Sequence, residues 1–320
     1  MKDKIYNAIY GAIVGDALGG PVQFFPRERL RQFPPVTDMM DFVTSKLPRG
    51  SWSDDSSMTL CFLDSVSKCK TIDYEDIMRC FKKWLFENEY TPNNKAFDIG
   101  RTCFFAISRF KKNIPALECG AKNENQNGNG SLMRISGLPF YLAKNFGCDA
   151  ITNDNAFEII HNVSRLTHAH EISLLGCDIY CAFMLEILKG AKNKIDLQTF
   201  TMQKIGDFVR RHQKFEYALS KYERLCHINF KDLQESEIKS SGYVLDTLEA
   251  ALWCFFTTEN YSDCVLKAVN LGHDTDTVAC VAGSIAGLYY NEVPEKWIST
   301  LRNKKLIDEI LKKFIDFVVM

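Results

Sequence analysis

Residues 77–85, IMRCFKKWL, place Ile77, Cys80, Phe81, Trp84 and Leu85 at i, i+3, i+4, i+7 and i+8, with the charged residues between them. That spacing gathers the apolar side chains into one stripe on a 3.6-residue period and predicts an amphipathic helix. The same period runs through Ile99, Cys103, Ile107 and Phe110, and through Ile159, Ile160, Val163 and Leu166. It recurs near 172–189, 202–224, 244–257, 277–290 and 306–319. Period-two alternation hardly occurs. Three stretches break the pattern: the proline-containing segment 21–50, the Asn/Gly segment 123–130, and residues 226–242. None has the composition of a domain linker, and no fixed-period repeat is visible. The chain therefore reads as all-α, one compact domain over residues 1–320 with about a dozen helices.

At 320 residues, with 46% hydrophobic and 25% charged content, the chain is large enough for a substantial core and too apolar to be disordered. Its 39 basic and 40 acidic residues nearly cancel, so no nucleic-acid or membrane partner is indicated. The basic clusters near the C-terminus read as the solvated faces of the last helices. The N-terminal segment is interrupted by Asn7 and Asp16 and lacks the apolar run of a signal peptide. The longest apolar stretch, Val278 to Tyr290, is too short to span a bilayer. Twelve cysteines are dispersed without a C-x-x-C pair, which reads as reduced, mostly buried thiols in a cytoplasmic protein.

The chemistry concentrates where helices begin. In SDDSSM (53–58), Ser53, Asp54 and Asp55 precede an apolar run, and in HDTDTV (273–278) Asp274, Asp276 and Thr277 do the same. Either motif alone is explained by helix capping and the helix dipole. Two acidic pairs with hydroxyls beside them are also an oxygen-only donor set, the kind hard divalent cations prefer. If the two helix starts meet, four carboxylates repel one another unless one or two Mg²⁺ or Mn²⁺ ions neutralise them. The six histidines show no zinc-binding spacing. Gly11, Gly15, Gly19 and Gly20 surround Asp16, which suits close helix approach around a buried, hydrogen-bonded carboxylate with a structural role. Asn129 and Gly130 form a turn with free backbone N–H groups, followed by Ser131 and Arg134. It is either a phosphate or diphosphate site or an ordinary turn with a surface arginine.

These segments resemble the ADP-ribosylglycohydrolase family, of the dinitrogenase-reductase-activating glycohydrolase and crystallin J1 type. The resemblance is carried in order by GDALGGPVQF (15–24), SDDSSM (53–58), FDIGRT (97–102), GNGSLMR (128–134), SGYVLDTLEAAL (241–252) and GHDTDTVACVAGSIAGLYY (272–290). It implies an all-α fold with a binuclear Mg²⁺ centre, Mn²⁺ being an alternative, at the bottom of a cleft for ADP-ribose. Ser53, Asp54, Asp55, Asp274, Asp276 and Thr277 are then the metal ligands, and Asp55 and Asp98 the catalytic acid–base candidates. Asn129, Gly130, Ser131, Met133 and Arg134 are expected to line the ribose and diphosphate pocket, and His168, Gly242, Tyr243, Gly272 and His273 its walls. For His168, a core histidine satisfied by neighbouring backbone is the competing reading.

Four positions depart from the family pattern. Ser53 and Ser56 replace threonines, which keeps a hydroxyl. His273 replaces a small residue. Gln23 stands where many members carry glutamate, and a neutral amide takes no proton, which directs the expectation from serine-linked toward arginine-linked ADP-ribose. The implied activity is Mg²⁺-dependent hydrolysis of the bond between ADP-ribose and an acceptor on a modified protein. The alternatives are a non-catalytic ADP-ribose-binding or crystallin-like protein, and a hydrolase of another ADP-ribosyl linkage.

Overall fold

The computed structural model describes residues 1–191 and 193–320. Fifteen α-helices lie within them. The first seven are α1 Lys2–Gly19, α2 Arg27–Leu30, α3 Asp54–Cys69, α4 Tyr74–Glu87, α5 Arg101–Lys111, α6 Leu138–Phe146 and α7 Asp154–Arg165. The others are α8 Glu171–Lys189, α9 Lys194–Arg211, α10 Glu216–Lys221, α11 Val244–Phe256, α12 Tyr261–Asn270, α13 Thr275–Tyr290, α14 Glu295–Ile298 and α15 Lys304–Val319. Strand pairing among the described residues is limited to two isolated bridges, Ala121 with His168 and Gly128 with Tyr243. The protein is all-α, as the hydrophobic period requires.

Two of the periodic stretches are divided by the tertiary structure. The expected helix over 202–224 is two, because the chain turns at His212–Phe215 between α9 and α10. Ile99 of the second stripe lies before α5, which begins only at Arg101. The three expected loops contain short helical turns and no long helix.

The spine of the molecule is the antiparallel pair α1 and α13. A Cβ on Gly11, Gly15 or Gly19 would run into the carbonyl oxygen of Gly283, Ala279 or Thr275, and one on Gly287 into that of Asn7. These contacts advance four residues along one helix as they retreat four along the other, so small residues on matched faces bring the two backbones together. Consequently the C-terminal end of α1 lies against the N-terminal end of α13, where the Thr275 hydroxyl donates to the Gly19 carbonyl at 2.8 Å.

Helix α8 is the other axis. Every residue from Ile172 to Leu188 is buried, and its neighbours include α7, α9, α11 and α13. Such a helix is apolar all round and cannot exist outside a core. Its buried Asp178 pairs through Oδ2 with His161 Nε2 on α7 at 2.7 Å, while Oδ1 is left without a partner. The apolar side chains of all these helices form one continuous buried cluster. All twelve cysteines are free thiols, nine of them buried. Among the described residues, no helix is long and apolar enough to cross a membrane.

Candidate active site

Asp16 holds the end of α1 and the start of α3 together. Its carboxylate is fully buried on α1 and accepts from the backbone N–H groups of Ser53 and Ser56 and from the Ser56 hydroxyl at 2.5 Å. This fixes the start of α3 against the end of α1, where α13 also begins. The structural role expected of Asp16 is the one observed. Burial pushes its pKa up to about 6, against the lowering effect of those hydrogen bonds.

The two acidic helix starts therefore meet. Ser53 caps α3, its hydroxyl accepting from the Asp55 N–H at 3.3 Å and lying 3.1 Å from Asp55 Oδ2. The Thr277 hydroxyl, in the first turn of α13, lies 3.4 Å from the same Asp55 oxygen. Asn129 reaches across from its turn and donates to Asp274 Oδ2 at 2.7 Å and to Thr247 at 2.9 Å. Asp54, Asp55 and Asp276 are all held well above the usual carboxylate range. Burial is the main cause, and mutual repulsion with Asp98, Asp274 and Asp16 adds to it.

Asp98 enters from the FDIGRT segment. Burial raises its pKa, while hydrogen bonds with Gln23 and Asp276 oppose the rise. Its backbone lies in the left-handed region at φ 61°, as do those of Phe24 at 65° and His273 at 64°. A non-glycine residue there costs about 1–3 kcal/mol and persists only where surrounding contacts impose it. Here Phe24 N–H donates to the His273 carbonyl at 2.6 Å and His273 N–H to the Phe25 carbonyl at 2.7 Å, locking two of the three together.

Above this acidic floor opens a cleft of about 350 Å³. Asp54, Asp55, Asp98, Asp274 and Thr277 line it, with Gln23 and Phe24 on one side and Asn129, Gly130, Met133, His168 and Gly242 on the other. Ser53 and Asp276 lie beneath it, buried and outside the lining. A Cβ on Gly130 would meet Cys103 Sγ at 2.6 Å and His168 Cε1 at 2.9 Å, so only glycine lets the turn approach the wall. His168 is both a wall residue and internally satisfied: Nδ1 pairs with Thr167 at 2.9 Å, and burial with the nearby Arg134 drives its pKa down to about 3, leaving the imidazole neutral.

Five expected pocket residues are placed elsewhere. Arg134 is wholly buried and points away from the cleft, donating to the Gly130 and Val163 carbonyls at 3.1 Å and to Thr167 at 2.8 Å. It anchors the turn from below and is neither a surface arginine nor a diphosphate contact in this arrangement. Ser131 is buried against Cys177. Gly272 makes a tight turn at φ 77° against the backbone of Arg27. The His273 side chain is exposed and lines a separate cavity with Arg27 and Asp246. Tyr243 is half-buried outside the lining, its neighbour Gly242 being the wall residue.

Ile99, Gly100, Arg101, Thr102 and Cys103 form a further wall of the cleft, beyond the residues expected from the sequence. Gly100 occupies the N-cap of α5 without a side-chain acceptor, so the first N–H groups of the helix face the cleft uncapped. Free N–H groups and the positive end of a helix dipole suit an anionic group. The absence of a Ser, Thr, Asp or Asn before Arg101 was the available signal.

The donor set fits a hard divalent cation by its chemistry. Asp55 Oδ1 and Asp276 Oδ2 are buried with no hydrogen-bond partner, an expense that a cation would remove. As the side chains stand, no three His, Cys, Asp or Glu side chains among the described residues share one ligating point.

The family model described as ADP-ribosylglycohydrolase matches residues 1–318. An ADP-ribosylarginine hydrolase of Serratia proteamaculans, Tri1, is 30% identical, covering 97% of this chain and 78% of its own length. The ADP-ribosyl-[dinitrogen reductase] glycohydrolase of Rhodospirillum rubrum is 26% identical, covering 99% and 95%. A solved structure described as an ADP-ribosylglycohydrolase-related protein complex superposes with a TM-score of 0.77 at 27% identity, covering all of this chain and 98% of the other.

Proposed function

The chain belongs to the ADP-ribosylglycohydrolase family and is an ADP-ribosyl hydrolase, and on that premise we propose that it releases ADP-ribose from modified arginine side chains of proteins in a Mg²⁺-dependent reaction. The observation that carries this reading is the meeting of Asp55 and Thr277, 222 residues apart in sequence, on one buried acidic floor beside Asp98.

Ser53, Asp54, Asp55, Asp274, Asp276 and Thr277 would hold two Mg²⁺, or Mn²⁺, ions, which when bound neutralise the crowded carboxylates, orient the ribose diol and favour deprotonation of water. The chain's own groups supply the remainder. Cleaving the ribosyl C–N bond builds positive charge on the sugar, and the carboxylates around the floor stabilise it. Asp98, next to Asp276, accepts a proton from the attacking water as its oxygen bonds to the anomeric carbon. The C–N bond breaks, and that proton passes to the departing guanidine nitrogen, giving ADP-ribose and arginine. The uncapped start of α5 and the Asn129–Gly130 turn face the cleft where the diphosphate would lie.

Gln23 supports the arginine linkage over the serine linkage. Its amide can orient Asp98 and accept an N–H from the guanidine, but it carries no proton to or from an alcohol leaving group. The test is release of ADP-ribose from the same protein modified on arginine and on serine. Arginine-linked release at least a hundredfold faster is expected; equal or faster serine-linked release contradicts the assignment.

A further inference from the structure

A second cavity, of about 460 Å³, shares Gln23, Phe24 and Asp98 with the cleft, so these three residues form a common wall. The rings of Phe42 and Phe97 line it and meet edge to face, centroids 6.1 Å apart at 86°. Gly20, at the end of α1, makes room for this arrangement: a Cβ there would strike the Phe42 ring at 2.6 Å. Phe24 is 69% exposed and held in its left-handed backbone between the two cavities. Lys46 and Lys95 also line it, beside Thr44, Ser45 and Leu47; both are exposed, and neither makes an ion pair among the described residues.

We propose that this cavity is the acceptor subsite, receiving the modified arginine side chain together with an acidic segment of the substrate protein, while ADP-ribose fills the cleft. The inference rests on the arginine-linkage reading above. The bond to be hydrolysed joins the two halves of the substrate, and Asp98 and Gln23 are the polar groups that face both cavities, so the bond lies at the wall they form. A planar guanidinium is well matched to aromatic rings on one side and an amide oxygen on the other. The two unpaired lysines give the mouth a positive field, which favours carboxylates flanking the modified arginine and opposes basic ones.

The experiment compares kcat/KM on two peptides bearing the same ADP-ribosylated arginine, one flanked by Glu and Asp and the other by Lys. The acidic peptide is expected to be at least tenfold better. The double variant Lys46→Glu/Lys95→Glu should erase or invert that ratio, and an unchanged ratio overturns the proposal. Phe42→Ala should raise KM for the acidic peptide at least fivefold while ADP-ribose affinity, measured by calorimetry, moves less than twofold. A parallel loss of ADP-ribose affinity would give the aromatic cavity to the nucleotide and overturn the proposal. If the wild-type protein released ADP-ribose only from serine-linked peptides, the arginine reading would fail, and the acidic-to-basic ratio on those peptides would still decide what the lysines do.

Discussion

The side-chain amide of Asn129 donates to Asp274 Oδ2 at 2.7 Å, joining the turn that walls the cleft to the start of α13 that forms its floor. A hydrogen bond to an ionised carboxylate is worth about 1.5–3 kcal/mol. Asn129→Leu removes it and also frees Thr247. The expected result is a loss of about 10–100-fold in kcat/KM for ADP-ribose release, since each 1.4 kcal/mol is tenfold. Wild-type kinetics would show that the turn is positioned by other contacts.

Asp16 binds the starts of α3 and the end of α1 through three donors inside the core. Asp16→Ala leaves two backbone N–H groups and a hydroxyl buried without an acceptor, at a cost of about 3 kcal/mol or more. Urea unfolding should show that loss, and activity should fall with it because Ser53, Asp54 and Asp55 lose their anchor. Unaltered stability would mean that the α1–α3 contact is held by apolar packing alone.

The α1–α13 spine depends on matched small residues. Gly15→Ala would place its methyl against the Ala279 carbonyl and force the backbones apart. Overpacking of this kind costs about 3 kcal/mol or more where backbone must move. The urea midpoint is expected to fall accordingly, whereas Gly147→Ala, with nothing near its Cβ position but φ at 76°, should lose less than that.

Glu249 on α11 is buried, one carboxylate oxygen lacks a partner, and the other lies 3.1 Å from Arg224. Burial outweighs the arginine and raises its pKa from 4.5 to about 7. The folded state therefore holds this proton more tightly than the unfolded chain. Its stabilising contribution is complete below about pH 4.5 and is lost as pH rises through about 7. Glu249→Gln should flatten that slope and raise stability at pH 8 by about 1–3 kcal/mol, while changing little at pH 4.5. Denaturant unfolding at the two pH values checks this, and a variant destabilised at pH 8 would show that the Arg224 pair prevails.

Much of the site was legible because its residues carry local signals. The acidic pairs at 54–55 and 274–276 precede apolar helical runs, and the structure brings their helix starts together. Their meeting was not legible, since it depends on Gly15 and Gly19 allowing α13 to lie against α1 and on Asp16 holding α3. The inward turn of Arg134 is hidden in the sequence for a related reason. GNGSLMR reads the same whether its arginine turns outward or inward, and only the carbonyls of Gly130 and Val163 and the Thr167 hydroxyl decide that it turns inward. His273 was assigned to the wall by motif position, but the backbone at φ 64° exposes its side chain. The start of α5 escaped notice because helix beginnings are recognised by their caps, and Gly100 provides none.

The most direct measurement is release of free ADP-ribose from an arginine-ADP-ribosylated protein with Mg²⁺, with a chelator, and with the Asp276→Asn variant. Removing one of several crowded carboxylates relieves repulsion, so the variant should fold about as stably as the wild type in chelator. Release is expected to be supported by Mg²⁺, abolished by the chelator, and lowered by at least a thousandfold in the variant. Full activity in Asp276→Asn, or release undiminished by chelator, would contradict it.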